Sequence, residues 1–226
     1  EIVINHLHFE LYQYNMLHLP SLNEFTRDRA KAINNNLGGT IDFNCEKIDL
    51  NIQEIEKLFN TRHSIRNFST KPVSNDIIKK AIELAHKCPS ACNRQGVRSY
   101  IIDKSKANII LENPNGFKSF SENISKYIII TGKISSYNYG KINQYIVSAS
   151  IFAGYLSLTL HLYGLGACII QRPVIWNENM EKLKKEFEIE DDEQIICMIG
   201  VGSIEGIIKV PISHKISIDE FAKFID

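Results

Sequence analysis

Residues 61–95 read TRHSIRNFSTKPVSNDIIKKAIELAHKCPSACNRQ, and this stretch decides how the rest of the chain is read. It opens on Arg62, His63, Ser64 and Arg66, passes through Pro72 and Val73 into an apolar-periodic segment, and closes on Cys88, Pro89, Ser90, Ala91, Asn93 and Gln95. Two clusters of donors and cations therefore stand about one helix apart, a layout suited to an anion that carries a polar ring. Arginine presents a planar fork of donors that matches phosphate, and His63, Ser64 and Arg66 add further donors. Taken alone, a basic run after a helix is more often a solvated charged face.

The flanking segments place both clusters. Asn51 precedes Ile52, Ile55, Leu58 and Phe59, whose spacing puts four apolar side chains on one helical face, with Glu54 set to close a capping box. Ser74 caps a second helix carrying Ile77, Ile78, Ala81, Ile82, Leu84 and Ala85, and Pro89 stops it. Ser90, Asn93 and Gln95 then gather a hydroxyl and two amides in a loop just before the strand predicted over residues 97–103.

Read together, the two clusters resemble the opening motifs of the nitroreductase family, flavoenzymes that bind FMN. The first family motif, approximately R-R/H-S-x-R followed by Phe and Pro-Val, is matched by Arg62, His63, Ser64, Arg66, Phe68, Pro72 and Val73. The second, approximately A-P-S-x-x-N-x-Q-P-W, is matched by Cys88, Pro89, Ser90, Asn93 and Gln95, with Gly96 and Val97 where the family has Pro-Trp. The resemblance covers roughly residues 52–226. It implies an α+β, nitroreductase-like fold: a mixed central sheet of four or five strands sandwiched by helices, in a homodimer with shared active sites. Residues 1–50 are then an N-terminal helical arm or extension lying against the partner subunit, and residues 51–226 the FMN-binding domain.

What the resemblance implies about function is an FMN-dependent oxidoreductase that takes electrons from NAD(P)H and reduces an electron-poor acceptor, such as a nitroaromatic or a quinone, in a ping-pong cycle. The implied FMN-binding set is Arg62, His63, Ser64, Arg66, Pro89, Ser90, Ala91, Asn93, Gln95, Gln171, Arg172, Pro173, Ser213 and Lys215. Arg62 and Lys215 would neutralise the phosphate, with Ser213 where the family carries a second cation. Arg66 would face the pyrimidine side of the flavin ring, while Ser90, Asn93 and Gln95 would come from the other subunit. Gln171, Arg172 and Pro173 would lie against the reactive edge. No side chain is singled out as a catalytic acid or base, because the flavin carries the redox chemistry. Same-fold flavoproteins with another task, such as dehalogenation, cobalamin-ligand synthesis from flavin or oxidation of a peptide-borne ring, are the alternatives, together with a non-catalytic flavin-binding module.

Composition agrees with such a protein. A chain of 226 residues, 44% hydrophobic, can bury a full-size core. Lys+Arg and Asp+Glu number 26 each, so no overall field favours nucleic acid or an anionic membrane. The odd, scattered cysteines Cys45, Cys88, Cys92, Cys168 and Cys197 point to reduced thiols and a cytoplasmic setting. No metal site is expected: Cys88 and Cys92 lack a second pair, and His6, His8 and His18 lack partners at ligand spacing. The start of the chain shows no basic region leading into an apolar run, so no secretory signal is expected.

The remaining chain reads as alternating strand and helix. Residues 127–131 form a strand buried on both faces, residues 141–163 a long helix at the core and the dimer interface, and residues 167–170 a strand entered through Gly164 and Gly166. This helix is interrupted by Ser, Thr, His and Gly, so it reads as a buried element and not as a membrane span. Residues 179–187 give a short amphipathic helix and residues 195–201 a further strand. Neither Gly164-x-Gly166 nor Gly200-x-Gly202 stands in a strand-turn-helix context, which excludes a dinucleotide-binding domain. The family often inserts a helical excursion near residues 135–140; the chain has little room for it, so its flavin pocket is expected to be more open or roofed by another segment.

Overall fold

The computed structural model describes residues 42–45, 50–112, 117–137, 143–171 and 178–225. The arm expected over residues 1–50 therefore lies almost wholly outside the described residues, as do His6, His8 and His18.

In the described chain, α1 (Ile52–Thr61) and α2 (Asn75–Ala85) precede β1 (Val97–Asp103), α3 (Asn108–Glu112), β2 (Lys126–Lys133), α4 (Gln144–Leu162) and β3 (Leu165–Ile170). After them come α5 (Glu178–Glu186), β4 (Glu193–Ser203) and the short α6 (Ile218–Phe221). The strands form one sheet in the order β1-β2-β4-β3, antiparallel throughout. A parallel bridge from Ser64 to Ala167 adds a second chain direction at the β3 edge. Among the described residues the four strands pair antiparallel, so their sheet contains no parallel βαβ unit of the dinucleotide-binding kind.

Caps explain the first two helices. Asn51 accepts from the Glu54 amide at 3.3 Å and Ser74 from the Ile77 amide at 3.4 Å, each satisfying one of the orphan donors of a first turn. The reciprocal bond that would complete a capping box at Glu54 is not made among the described residues; Ser217 and Glu220 do complete one at α6. Gly164, at φ +74, closes α4 and turns the chain into β3.

β2 runs through the middle of the core, which is why its sequence is continuously apolar. Tyr127 and Ile129 point to one face, among Phe117, Ile124 and Met198. Ile128 and Ile130 point to the other, against Ile78 and Ala81 of α2 and Phe152, Leu156 and Leu160 of α4. At one end of the sheet the buried Glu193 carboxylate accepts from Tyr100 Oη at 2.9 Å and from the Thr131 hydroxyl, tying β1, β2 and β4 together. Burial first, and then that carboxylate, push the Tyr100 phenol up to about 12.

The segment after α1 is laid across β3 and β4 as a strap. The Ile65 amide donates to Ala167 O at 2.9 Å and the Ser69 amide to Ser203 O at 2.8 Å. Between these two points Ile65 and Phe68 are buried, at 7% and 3% exposed. They sit directly on glycines: a Cβ at Gly166 would come within 2.9 Å of Ile65 Cγ2, and one at Gly202 within 2.7 Å of Phe68 Cδ1. The glycine pattern that superficially evokes a dinucleotide loop therefore serves close approach between strap and sheet.

Phe68→Ala should lower the unfolding free energy by about 3–5 kcal/mol, as expected for removing a buried aromatic ring without repacking. Urea denaturation followed by far-UV circular dichroism measures it; a change below about 1 kcal/mol would show that the strap does not depend on this anchor.

Candidate functional site

The strap fixes the first cluster. Arg62 caps the end of α1 in extended conformation (φ −72, ψ 119), so the helix ends where the chain must turn onto β3. Arg62, His63 and Ser64 are half-buried there, and Ser64 makes the bridge to Ala167. Arg66 is exposed, with its guanidinium 5.8 Å from the centroid of the Phe120 ring. Its charge also reaches Cys168 on β3, opposing the upward push that burial gives that thiol. Among the described residues, no carboxylate forms an ion pair with Arg62, His63 or Arg66.

Two residues beyond the expected set join this end of the site. Thr61 Oγ1 lies 2.8 Å from His161 Nε2, linking the end of α1 to the last turn of α4. Burial, and then the neighbouring Arg62 and His63, hold the His161 imidazole below its ordinary value. Sequence reading missed His161 because it lies a hundred residues from Thr61, inside a helix whose apolar composition signals only packing.

The second cluster is a tight loop. Ser90 O accepts from the Asn93 amide at 3.0 Å, and Ser90 Oγ accepts from the Gln95 amide at 3.1 Å. Cys92, Asn93 and Gln95 all take positive φ, at 52°, 51° and 51°, a conformation costly for residues with a side chain. Asn93 and Gln95 consequently hold their amide side chains exposed, while Pro89 is exposed and Ala91 half-buried. Arg94 anchors the loop by donating from Nη1 to Ser136 O at 2.6 Å, over the Tyr137 ring.

Gly96 explains the departure from the family's Pro-Trp. A Cβ there would lie 2.8 Å from Ser136 Cβ and 2.9 Å from Tyr137 Cε2, and Gly96 O accepts from the Lys133 amide at 2.7 Å. The segment that follows β2 therefore occupies the space a larger residue would need.

Within one chain the two clusters do not meet. The strap crosses β3 at Ala167, level with Val201, whereas the loop enters β1 at Val97, level with Gly132 and Gln194. They are offset by three strand spacings, roughly 14 Å, and by seven residues along β4, roughly 23 Å. Gln171 is exposed just beyond the end of β3, and Arg172 and Pro173 lie outside the described residues. Ser213 and Lys215 stand on an exposed tail after β4 and form no hydrogen bond or ion pair among the described residues. The structure thus gathers Arg62, His63, Ser64 and Arg66 at one corner and Pro89, Ser90, Ala91, Asn93 and Gln95 at the opposite one.

The chain matches the model of the nitroreductase family over residues 60–145 and 127–203. No curated protein sequence matches it. Among solved structures, an FMN-dependent nitroreductase from Clostridium difficile R20291 superposes with a TM-score of 0.58 at 22% identity, covering 68% of this chain and 90% of that one. The nitroreductase family protein from Streptococcus pneumoniae TIGR4 gives 0.59 at 20% identity, over 75% of this chain and 98% of that one. A Desulfovibrio desulfuricans protein solved in complex with FMN gives 0.62 at 17% identity, over 74% and 94%. At these identities the likeness establishes a shared fold.

Gly96→Ala should destabilise the protein by about 1–3 kcal/mol through overpacking against Ser136 and Tyr137. Thermal unfolding measures this, and an unchanged midpoint would mean that the segment after β2 can move aside.

Proposed function

The chain belongs to the nitroreductase family, and from that premise we propose that it is an FMN-dependent oxidoreductase that takes electrons from NAD(P)H and passes them to an electron-poor small molecule such as a nitroaromatic or a quinone. The observation that carries the reading is the strap: half-buried Arg62, His63 and Ser64, pinned to β3, with no acidic partner among the described residues. A half-buried guanidinium with no carboxylate partner among the described residues suits an anionic ligand, and the donor set matches a phosphate oxygen array.

The residues of this chain fit FMN. Arg62 and Ser64 would hold the phosphate, with Lys215 and Ser213 brought to it by the tail. Arg66, held over Phe120 and beside β3, would present its charge to the pyrimidine side of the ring, where negative charge develops on reduction. Ser90, Asn93 and Gln95 would hydrogen-bond the ring and the ribityl chain, and the positive φ values of Asn93 and Gln95 hold their backbone in that presentation. Gln171, Arg172 and Pro173 would border the reactive edge. Bound FMN would supply the hydride chemistry, and the protein orients donor and acceptor in turn over one face.

On this reading a second copy of the chain completes each site, which is consistent with the diagonal separation of the two clusters. Uncovered apolar surface supports a homodimer. Helix α1 buries nothing, and its Ile52 and Phe59 are 70% and 59% exposed. Helix α4 carries no Asp, Glu, Lys or Arg and is apolar all round, yet only one face packs on α2 and the sheet; Val147, Tyr155 and Leu162 remain exposed. It is long and apolar enough to cross a membrane by length and composition. Its packed face, however, buries Ser148 and Thr159 with core residues, and Thr159 donates to Ala81 O at 2.9 Å, which favours a core and interface helix over a span. The tail exposes Ile212, Ile216, Ile218, Phe221, Phe224 and Ile225, a hydrophobic series fit to lie on a partner. All five cysteines are free, which favours a reducing, cytoplasmic setting.

Purified protein loaded with FMN should be yellow and dimeric by light scattering, and NADH or NADPH added without oxygen should bleach it, with colour restored by a quinone or a nitroaromatic. Protein that cannot be loaded with FMN ends the proposal, and flavin that binds but stays unbleached assigns a non-catalytic binding module. Arg62→Ala should weaken FMN roughly 10- to 100-fold, as for loss of a charge-assisted hydrogen bond, and leave riboflavin affinity nearly unchanged.

A further inference from the structure

One cluster of titratable groups is not used by this reading: His161 on α4, beside Arg62 and His63. Its hydrogen bonds fix its tautomer. Thr61 has a single hydroxyl hydrogen, and Oγ1 lies 2.7 Å from Lys57 O, a carbonyl that can only accept. The hydroxyl therefore donates within α1, and its oxygen accepts from His161 Nε2 at 2.8 Å, so Nε2 carries the hydrogen. Nδ1 is left with its lone pair, free to take a second proton.

The charges acting on the ring are both positive. Arg62 and His63, from the end of α1, disfavour its protonation, and no carboxylate opposes them. Helices α1 and α2, both packed along α4, carry Glu54, Glu56, Lys57, Asp76, Lys79, Lys80 and Glu83, all exposed, and none contributes to the field at the ring. Helix α4 itself has no other ionisable group on its last two turns, and β3 carries only Cys168. Two imidazoles and a guanidinium thus stand together with no carboxylate partner among the described residues, an arrangement that a phosphate dianion would relieve.

We propose that His161 is a further phosphate-binding residue, taking a proton at Nδ1 when a phosphate monoester binds against Arg62 and His63. The inference rests on the FMN reading above and adds to it a pH-dependent grip specific to the phosphate. The sign follows from linkage. The ring binds a proton more tightly in the complex than in the free protein, so affinity is favoured at low pH and falls as pH rises through the bound value. The phosphate's own second ionisation, near about pH 6, acts in the opposite direction and is common to all variants.

The test is fluorescence titration of flavin-free protein with FMN and with riboflavin, from about pH 6 to about pH 8.5, for wild type and His161→Gln. Glutamine keeps a donor for Thr61 but cannot be charged. Wild type should lose FMN affinity with rising pH by up to about tenfold per unit over the linked range. His161→Gln should bind FMN about three- to tenfold more weakly at the low end and show a flatter profile. Riboflavin should bind both proteins alike. In parallel, the His161 ring resonance of wild type should titrate at higher pH when inorganic phosphate is added. Parallel FMN profiles for wild type and variant, or a ring titration that phosphate does not raise, overturn the inference and leave the FMN assignment standing. Failure of both proteins to bind FMN at any pH overturns the two together.

Discussion

The structure depends on how closely residues 62–69 can lie on the sheet. Two backbone hydrogen bonds, Ile65 N to Ala167 O and Ser69 N to Ser203 O, hold this segment across β3 and β4. They form only because Gly166 and Gly202 present no Cβ where Ile65 and Phe68 press down. Apolar burial of those two side chains, each contributing about 1.5–3 kcal/mol, then fixes the phase of the strap. Once Ile65 and Phe68 point inward, Ser64 and Arg66 are set to either side. The placement of the cationic cluster is a consequence of packing, with no ligand needed to create it.

The opposite corner is organised by a different device. Three departures into positive φ within four residues, at Cys92, Asn93 and Gln95, cost free energy that Ser90 offsets through its bonds to Asn93 and Gln95 and Arg94 offsets through Ser136. Strain retained on an exposed loop, where any residue pattern would be tolerated by the core, is where function is most often stored. The two corners lie diagonally apart, and the faces of α1 and α4 that stay exposed are apolar. Exposed Ile, Phe, Leu and Val on these faces form apolar surface of the kind a partner covers, and the homodimer proposed above would cover it while pairing opposite corners.

Periodicity and caps made α1, α2, β2 and the long helix legible, because each rests on local patterns that tertiary context did not override. Asn51 and Ser74 mark their helix starts as written in the sequence. β3 begins at Leu165 and β4 spans Glu193–Ser203, both longer than their apolar runs, since the pairing is carried by backbone and admits a buried Glu193 that no hydropathy pattern signals. The four apolar residues of α1 did lie at helical spacing, yet none is buried within the chain. Spacing reports that a face exists and is silent about what covers it. Resemblance located the two motif clusters, but their diagonal offset is a property of strand order that single-chain motifs do not contain.

Gly96 shows how a departure from a family pattern is read through its neighbours. A glycine in place of a proline would ordinarily loosen the backbone, by about 1 kcal/mol or less of chain entropy. Here Ser136 and Tyr137 fill the space beside it, and Gly96 O extends the β1-β2 ladder to Lys133. The loop is thus rigidified by its surroundings while the side-chain bulk is removed. Tyr137, 7% exposed and stacked under Arg94, takes up the space into which a side chain at residue 96 would project. Gly96 and the aromatic side chain at 137 are therefore packed as one unit, in which the segment after β2 supplies the wall beside the loop. This packing sets what borders the loop of Ser90, Asn93 and Gln95.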